Sequence, residues 1–481
     1  MKLNKRIFIA LLLVALVMVF CLNFVACNIQ STEETDVPEL DLNELDQILK
    51  KYDDLGYTYD YSGEAVEITM AHWDSSGANI ERTVIEALLQ GFNKRYPNIT
   101  VKLDILQDYE NTYGNRIGAG TAHDVFLVPD GAISKWASSG VLENLDPYIA
   151  ASDILNNGDG INTVYTSCLT RYQFNPTTSR MGSGNQIALP KDVGPYVMFY
   201  NKTWFEQMGV ALPPSDRIMT IEEATAMWQA LTKKNSSDVI TGYGVAGLCI
   251  EGLVWSAGGD FLNETRTAFP TDASTLQGLT QGYQYMKDSY LTYKIQPPAE
   301  FTGTLDATQL FSQQKVASVI AGRWNVSSFR SLTFDWDIAY VPAFSENPTE
   351  NMYSGSVGYA VNSNSGAKKE AAWKLVEYIS SREGQEILTA TGFQIPVYED
   401  LALDEALVEK EREKGPYNYE IFVESAKMQG YGLWQYCRSN TWKVNGYDVP
   451  SEYLYSTNPD TEISVADFLA RAKNLVNSNL G

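Results

Sequence analysis

The stretch VEITMAHWDSSGANIERTVIEALLQGFNKRYPNITVKL, residues 66–103, decides the fold. Val66 to Ala71 is an apolar-rich run that predicts a buried strand delivering His72, Trp73 and Asp74 to its C-terminal end. Ser75-Ser76-Gly77 turns the chain into a helix whose apolar positions Ile80, Val84, Leu88 and Phe92 step by four until Pro97 stops it. Ile99 to Leu103 follows at once as a second strand. Strand, helix and strand in this order predict a parallel sheet with helices on its faces. Asp124 to Val128 reads as a third buried strand, ending at Pro129-Asp130-Gly131. Ligands of open α/β sheets sit at the carboxyl ends of the strands. Trp73, Asp74 and Asp130 are therefore nominated as ligand contacts by position alone.

Upstream, Lys2, Lys5 and Arg6 precede an almost wholly apolar run from Ile7 to Leu22, and Phe24-Val25-Ala26-Cys27 ends it. The run is shorter than the ~20 residues a membrane-spanning helix requires, and small Ala26 directly before a cysteine marks a cleavage box. Residues 1–26 are thus expected to be a lipoprotein export signal and Cys27 the lipidated first residue of a body held on the extracellular face of the cell membrane. Residues 27–65 are expected to form the tether and a short helix, since Leu42, Leu45, Ile48 and Leu49 recur at helical spacing and predict a face docked on the body.

The 36 basic and 59 acidic side chains give a formal charge of -23, which argues against nucleic acid as a partner. Beyond Cys21 and Cys27, only Cys168, Cys249 and Cys437 remain, at spacings that match no metal template. Some 450 residues after the signal exceed what one hydrophobic core usually holds, so two lobes are expected. Asn156 to Gly160 has a calcium-like Asn-Asn-Gly-Asp-Gly pattern but lacks the earlier ligands of such a loop and reads as a turn. Tyr196 to Lys202 reads as a strand leading into a helix at Trp204-Phe205, and Thr220 to Glu223 as a capping box. Val316 to Ile320 is a strand presenting Gly322-Arg323-Trp324, and a last helix runs from Val465 through Leu475.

Taken in order, these landmarks resemble family 1 of the extracellular solute-binding proteins, the carbohydrate-binding lipoproteins of ABC importers to which maltose-binding protein is related. The matching stretches are the lipobox, Trp73-Asp74, Phe92 to Pro97, Asp124-Val125-Phe126, Tyr200 to Phe205, Trp255 to Asp260, Gly322-Arg323-Trp324, Gly355 to Val361 and the helix Ala371 to Leu388. The resemblance implies an α/β, two-lobed periplasmic-binding-protein-like fold of type II with the ligand cleft between the lobes. It places lobe 1 at residues 66–195 and 346–395 and lobe 2 at 196–345 and 396–481, with chain crossings near Pro195, Val341 to Ser354 and Gly392 to Pro396. It further implies a monomer without cofactor or metal that captures a carbohydrate and hands it to permease subunits of an ABC transporter.

Sugars are gripped by aromatic rings stacked on their apolar faces and by carboxylates or amides that accept from their hydroxyls. Trp73, Trp255, Trp324 and Trp434 are the stacking candidates, with Trp255 and Trp324 foremost because the resemblance puts them on ligand-facing loops. Trp204, Trp228 and Trp373 lie in helices and are assigned to packing. Asp74, Asp130, Asp192 and Asp260 are the candidate acceptors, though Asp74 and Asp260 serve equally well as helix caps. Tyr196 and Arg323 complete the set, with a surface ion pair as the alternative for Arg323. A peptide or another polar solute in the same cleft is the competing ligand class. A secreted glycoside hydrolase is the competing activity, since a carboxylate pair suffices for it. The sequence has only His72 and His123 and no HExxH, GxSxG or P-loop pattern, which speaks against other hydrolytic chemistries.

Overall fold

The computed structural model describes residues 42–73, 80–129, 131–157, 160–348, 350–392, 394–430, 437, 440–455 and 462–480. Asp74, Asp130, Trp434, the export signal, Cys27 and the tether fall outside the described residues.

Ten strands build the two larger sheets found among the described residues. In chain order they are β1 Val66–Trp73, β2 Ile99–Leu106, β3 Val125–Val128, β4 Leu189–Pro190, β5 Tyr196–Asn201, β6 Lys233–Lys234, β7 Ile240–Ala246, β8 Val316–Gly322, β9 Trp336–Ala339 and β10 Gly358–Val361. The first sheet has the order β2-β1-β3-β10-β4 and the second β9-β5-β8-β7-β6. β1 runs parallel to β2 from Val66 opposite Ile99 to Trp73 opposite Leu106, and parallel to β3 at Met70 opposite Val125. The first sheet is not wholly parallel, however: β10 pairs antiparallel with both β3 and β4. The reason is topological, because β10 enters this sheet from the other lobe rather than through a crossover helix.

Helix Ile80–Arg95 carries Val84, Leu88 and Phe92 into the first core, as its spacing predicts. The expected single helix Ala371 to Leu388 is two helices, Lys369–Ser380 and Arg382–Ala390. Ser381 has extended backbone and its hydroxyl accepts from the Gly384 N–H, so it starts the second helix by capping it. Gly91 on the facing helix allows close approach: a Cβ there would stand 2.6 Å from the Tyr378 hydroxyl and 2.8 Å from the Ile387 Cδ1, so both side-chain ends would have to move.

The predicted amphipathic helix is Leu42–Asp54, and it belongs to this core rather than lying loosely upon it. Leu45, Ile48, Leu49 and Tyr52 are buried in it. Arg95 locks its end in place, donating to Asp53, to the Leu49 carbonyl and to Glu383. Residues after it are held too, since the Tyr59 hydroxyl donates to Glu383 at 2.6 Å under the Arg95 guanidinium.

The chain passes from the first sheet to the second between β4 and β5, returns between β9 and β10, and crosses again after helix Arg382–Ala390. The three crossing segments are bonded to one another. Gly194 and Gly355 exchange both backbone hydrogen bonds, at 2.8 and 2.9 Å, and Val193 bridges Ile395. The second lobe's core around β5 and β8 also takes in Ile395 to Ala426 from the tail, together with Val164, Tyr165 and Cys168, which precede the first crossing. A further cluster joins Trp255, Phe261 and Tyr283 to Trp442, Tyr447 and Phe468 of the terminal segment, where the last helix, Val465–Asn479, packs. Trp204, Trp228 and Trp373 are buried in helix packing. Cys168 is buried in the second lobe's core, and Cys249 and Cys437 stand as thiols.

Candidate functional site

A cavity of about 550 Å³ opens at the crossing segments, with walls from both lobes. Trp73 at the end of β1, Glu81 and Glu110 stand on one side, Tyr196, Trp324 and Asn325 on the other, and Lys191 to Gly194 with Tyr353, Gly355, Ser356 and Val357 form the base. Of the residues nominated from sequence, the fold thus brings together Trp73, Asp192, Tyr196 and Trp324.

Trp324 is the exposed aromatic of this group, with 44% of its surface accessible in a position just beyond β8. Its ring stands edge-on to Tyr196, with centroids 5.1 Å apart at 87°. Tyr196 in turn packs on Tyr353, and their hydroxyls lie 3.0 Å apart. Burial, then the neighbouring Tyr196, pushes the Tyr353 phenol far above its ordinary value, so the Tyr353 hydroxyl stays a neutral donor and acceptor. The Gln429 side chain clips the Tyr196 backbone on both sides, accepting from its N–H and donating to its carbonyl. Trp73 meets Tyr109, a buried residue of the first core, edge-on at 6.0 Å.

The charged part of the wall is a buried cluster. Lys191 is 3% exposed and holds Asp192 at 3.1 Å and Glu81 at 3.8 Å, and Glu81 lies 3.9 Å from His72. Burial pulls the Lys191 ammonium down, but Asp192 and Glu81 outweigh it and keep the group above the usual lysine value. Asp192 is also fixed from the base, accepting from the Val357 N–H at 3.1 Å while its carbonyl accepts from Ser356. One carboxylate oxygen of Asp192 therefore remains turned toward the lysine and the cavity.

Three nominated residues are placed differently from the sequence expectation. Arg323 borders the cavity, yet its guanidinium turns inward to Glu411 at 2.8 Å and the Gly392 carbonyl at 3.2 Å, over the Phe422 ring. Its partner comes from the tail, 88 residues downstream, which no local pattern announces. Trp255 is not on a loop but in helix Ile250–Ser256, 8% exposed among Phe261, Tyr283 and Tyr447. Asp260 accepts from the Phe261 N–H at 2.7 Å and from Trp255, and burial pushes its carboxyl up. Neither Trp255 nor Asp260 lines the cavity among the described residues. Sequence reasoning missed Lys191, Glu81, Tyr353 and Gln429. Lys191 adjoins Asp192 in the chain, whereas Glu81 and Tyr353 line the cavity and Gln429 holds the Tyr196 backbone only through folding.

A profile of the bacterial extracellular solute-binding proteins matches residues 77–386, well over half of the chain. The chain belongs to that family. A protein of Brucella abortus named provisionally as a binding protein is 24% identical to this solute-binding protein over 66% of its chain and 73% of the relative. The maltotriose-binding protein of Pyrococcus abyssi is 22% identical over 64% of this chain and 62% of the relative. Among solved structures, the ABC substrate-binding protein of Listeria monocytogenes in complex with cycloalternan superposes with a TM-score of 0.68 at 20% identity, over 86% of this chain and 99% of that one. The likeness shows the fold of this solute-binding protein to be the two-lobed type II arrangement, with the cavity at the junction of the lobes.

Proposed function

We propose that this protein is the substrate-capturing component of an ABC importer, that it binds an oligosaccharide at the lobe junction and that it delivers it to membrane permease subunits. The observation that carries the reading is the exposed Trp324 ring, braced by Tyr196, in one cavity with the Asp192 and Glu81 carboxylates that Lys191 holds. A solvent-facing indole costs free energy unless something covers it, and a pyranose face is an apolar plate that fits. Asp192 and the tyrosine hydroxyls then accept and donate at the sugar's edge. The names of the maltotriose-binding relative and of the cycloalternan complex point to the same ligand class. Sugar in the cleft would favour the closed arrangement of the lobes, because contacts from both walls are made together only when shut. Acylation at Cys27 would hold the protein beside the permease, and Cys27→Ser should move it from the membrane fraction to the medium.

The test is a thermal-shift screen of the purified full-length protein in mild detergent against mono- and oligosaccharides, with peptides and amino acids as controls. A ligand bound only by the native state raises the melting midpoint. Trp324→Ala should then weaken the best saccharide by ~1–3 kcal/mol in calorimetry. A shift with peptides alone would overturn the carbohydrate assignment, and recovery of cleaved sugar would turn the protein into a hydrolase.

A further inference from the structure

Trp324 does not rest on other side chains alone. A Cβ built on Gly355 would stand 3.0 Å from its Cζ3 and 3.4 Å from its Cη2, and one built on Gly194 would stand 3.0 and 3.1 Å from Cζ3 and Cε3. The six-membered half of the indole therefore lies against bare backbone at both positions. Neither glycine has positive φ, so neither is demanded by the turn of its own chain. These are also the two residues that exchange backbone hydrogen bonds between the first and second crossing segments. The ring folds back over the Gly322 backbone, where a Cβ would stand 2.2 Å from Cη2 and Cζ3, and it rests on the Gly194–Gly355 joint beside it, with Tyr196 packed against it and its remaining surface open to the cavity.

From this seating we infer that Gly194 and Gly355 are positioning residues for Trp324: the pair forms a side-chain-free cradle that sets the height and tilt of the ring in the cleft. The inference builds on the carbohydrate reading for its consequence in binding, but not for the seating. A Cβ at either glycine would press the ring by a few tenths of an ångström away from the joint and so change its height or tilt against Tyr196. Movement at the pair on lobe closure is transmitted to the stacking surface directly, with no flexible side chain between. Gly355 is the cleaner position to probe, because after the ring its Cβ would next meet the Gly194 carbonyl at 3.6 Å, an ordinary contact. A Cβ at Gly194 would come within 3.3 Å of the Gly355 carbonyl and so press on backbone as well.

The experiment compares wild type, Gly355→Ala, Trp324→Phe and the double variant, with Gly194→Ala as a second probe, all in the full-length protein with melting midpoint as the control for folding. Subtracting the emission of each Trp324→Phe protein from its tryptophan partner isolates the fluorescence of Trp324. Gly355→Ala should shift that emission and weaken maltotriose by about tenfold, an effect of the size of one aromatic contact. In the Trp324→Phe background the same alanine should cost less than about twofold, since phenylalanine lacks the ring atoms the Cβ would strike. Equal losses in both backgrounds, or an unmoved Trp324 emission in a folded Gly355→Ala protein, would overturn the cradle and leave the glycines as hinge backbone only. Failure of maltotriose and every other saccharide to bind wild type would sink the carbohydrate reading instead, while the emission difference would still decide the cradle.

Discussion

Arg323 and Glu411 face each other at 2.8 Å, each with 2% of its side chain exposed. The carboxylate is shared with Arg330, also at 2.8 Å, and both guanidinium groups reach the Gly392 carbonyl of the third crossing. Burial draws the Arg323 guanidinium below its ordinary value even with Glu411 opposing that effect, which marks how completely water has been removed. The tail of the chain is in this way fastened to the strand end that presents Trp324.

Removing the shared carboxylate should therefore be costly. Glu411→Ala leaves one buried and one half-buried cation without their anion, and a loss of ~3–5 kcal/mol of stability is expected in urea unfolding. A loss below about 1 kcal/mol would show that water or another acid takes over.

Leu45→Ala tests whether the helix at the start of the described chain is structural. Leu45 has no exposed surface and packs in the first lobe's core, so the truncation should cost ~2–5 kcal/mol. A helix that merely tethers the body would lose almost nothing.

Glu350 predicts a pH signature with a definite sign. Burial, then the nearby Asp260, raises its carboxyl above the usual value. A raised folded-state pKa contributes stability that is present below the unfolded value and is lost as pH rises through the folded one. Glu350→Gln should thus raise the melting midpoint at neutral pH, and the advantage should vanish as pH falls to the ordinary glutamate range. An unchanged difference across that window would remove the Asp260–Glu350 repulsion from the account.

The cleft should also select by charge. Glu81, Glu110 and Asp192 line it with Lys191, whose ammonium is held by Asp192 and Glu81. Uronic-acid and phosphorylated sugars should bind more weakly than their neutral counterparts, and added salt should narrow the gap. Calorimetry on a matched glucose and glucuronate oligomer pair checks this, and tighter binding of the acid would refute it.

Much of the fold was legible because its signals are local. The four-residue step of Val84, Leu88 and Phe92 and the cap at Thr220 each depend on neighbours a turn away, and each appears as read. The break at Ser381 was missed because the helical apolar pattern runs through it on both sides and masks the local cap that its hydroxyl makes with the Gly384 N–H.

By itself the sequence determined which elements form, the order in which they alternate, and a short list from which Trp73, Asp192, Tyr196 and Trp324 could be drawn. Periodicity, capping and turn chemistry act over a few residues, and the chain carries them in plain view. Tertiary structure alone decided that Arg323 turns to Glu411 and not to the cavity, that Trp255 is packed in a helix, that Lys191 and Glu81 share one buried cluster, and that two glycines 161 positions apart support one indole. Those outcomes depend on which distant segments meet, and a buried charge or an exposed ring finds its partner only where the crossing strands bring them together.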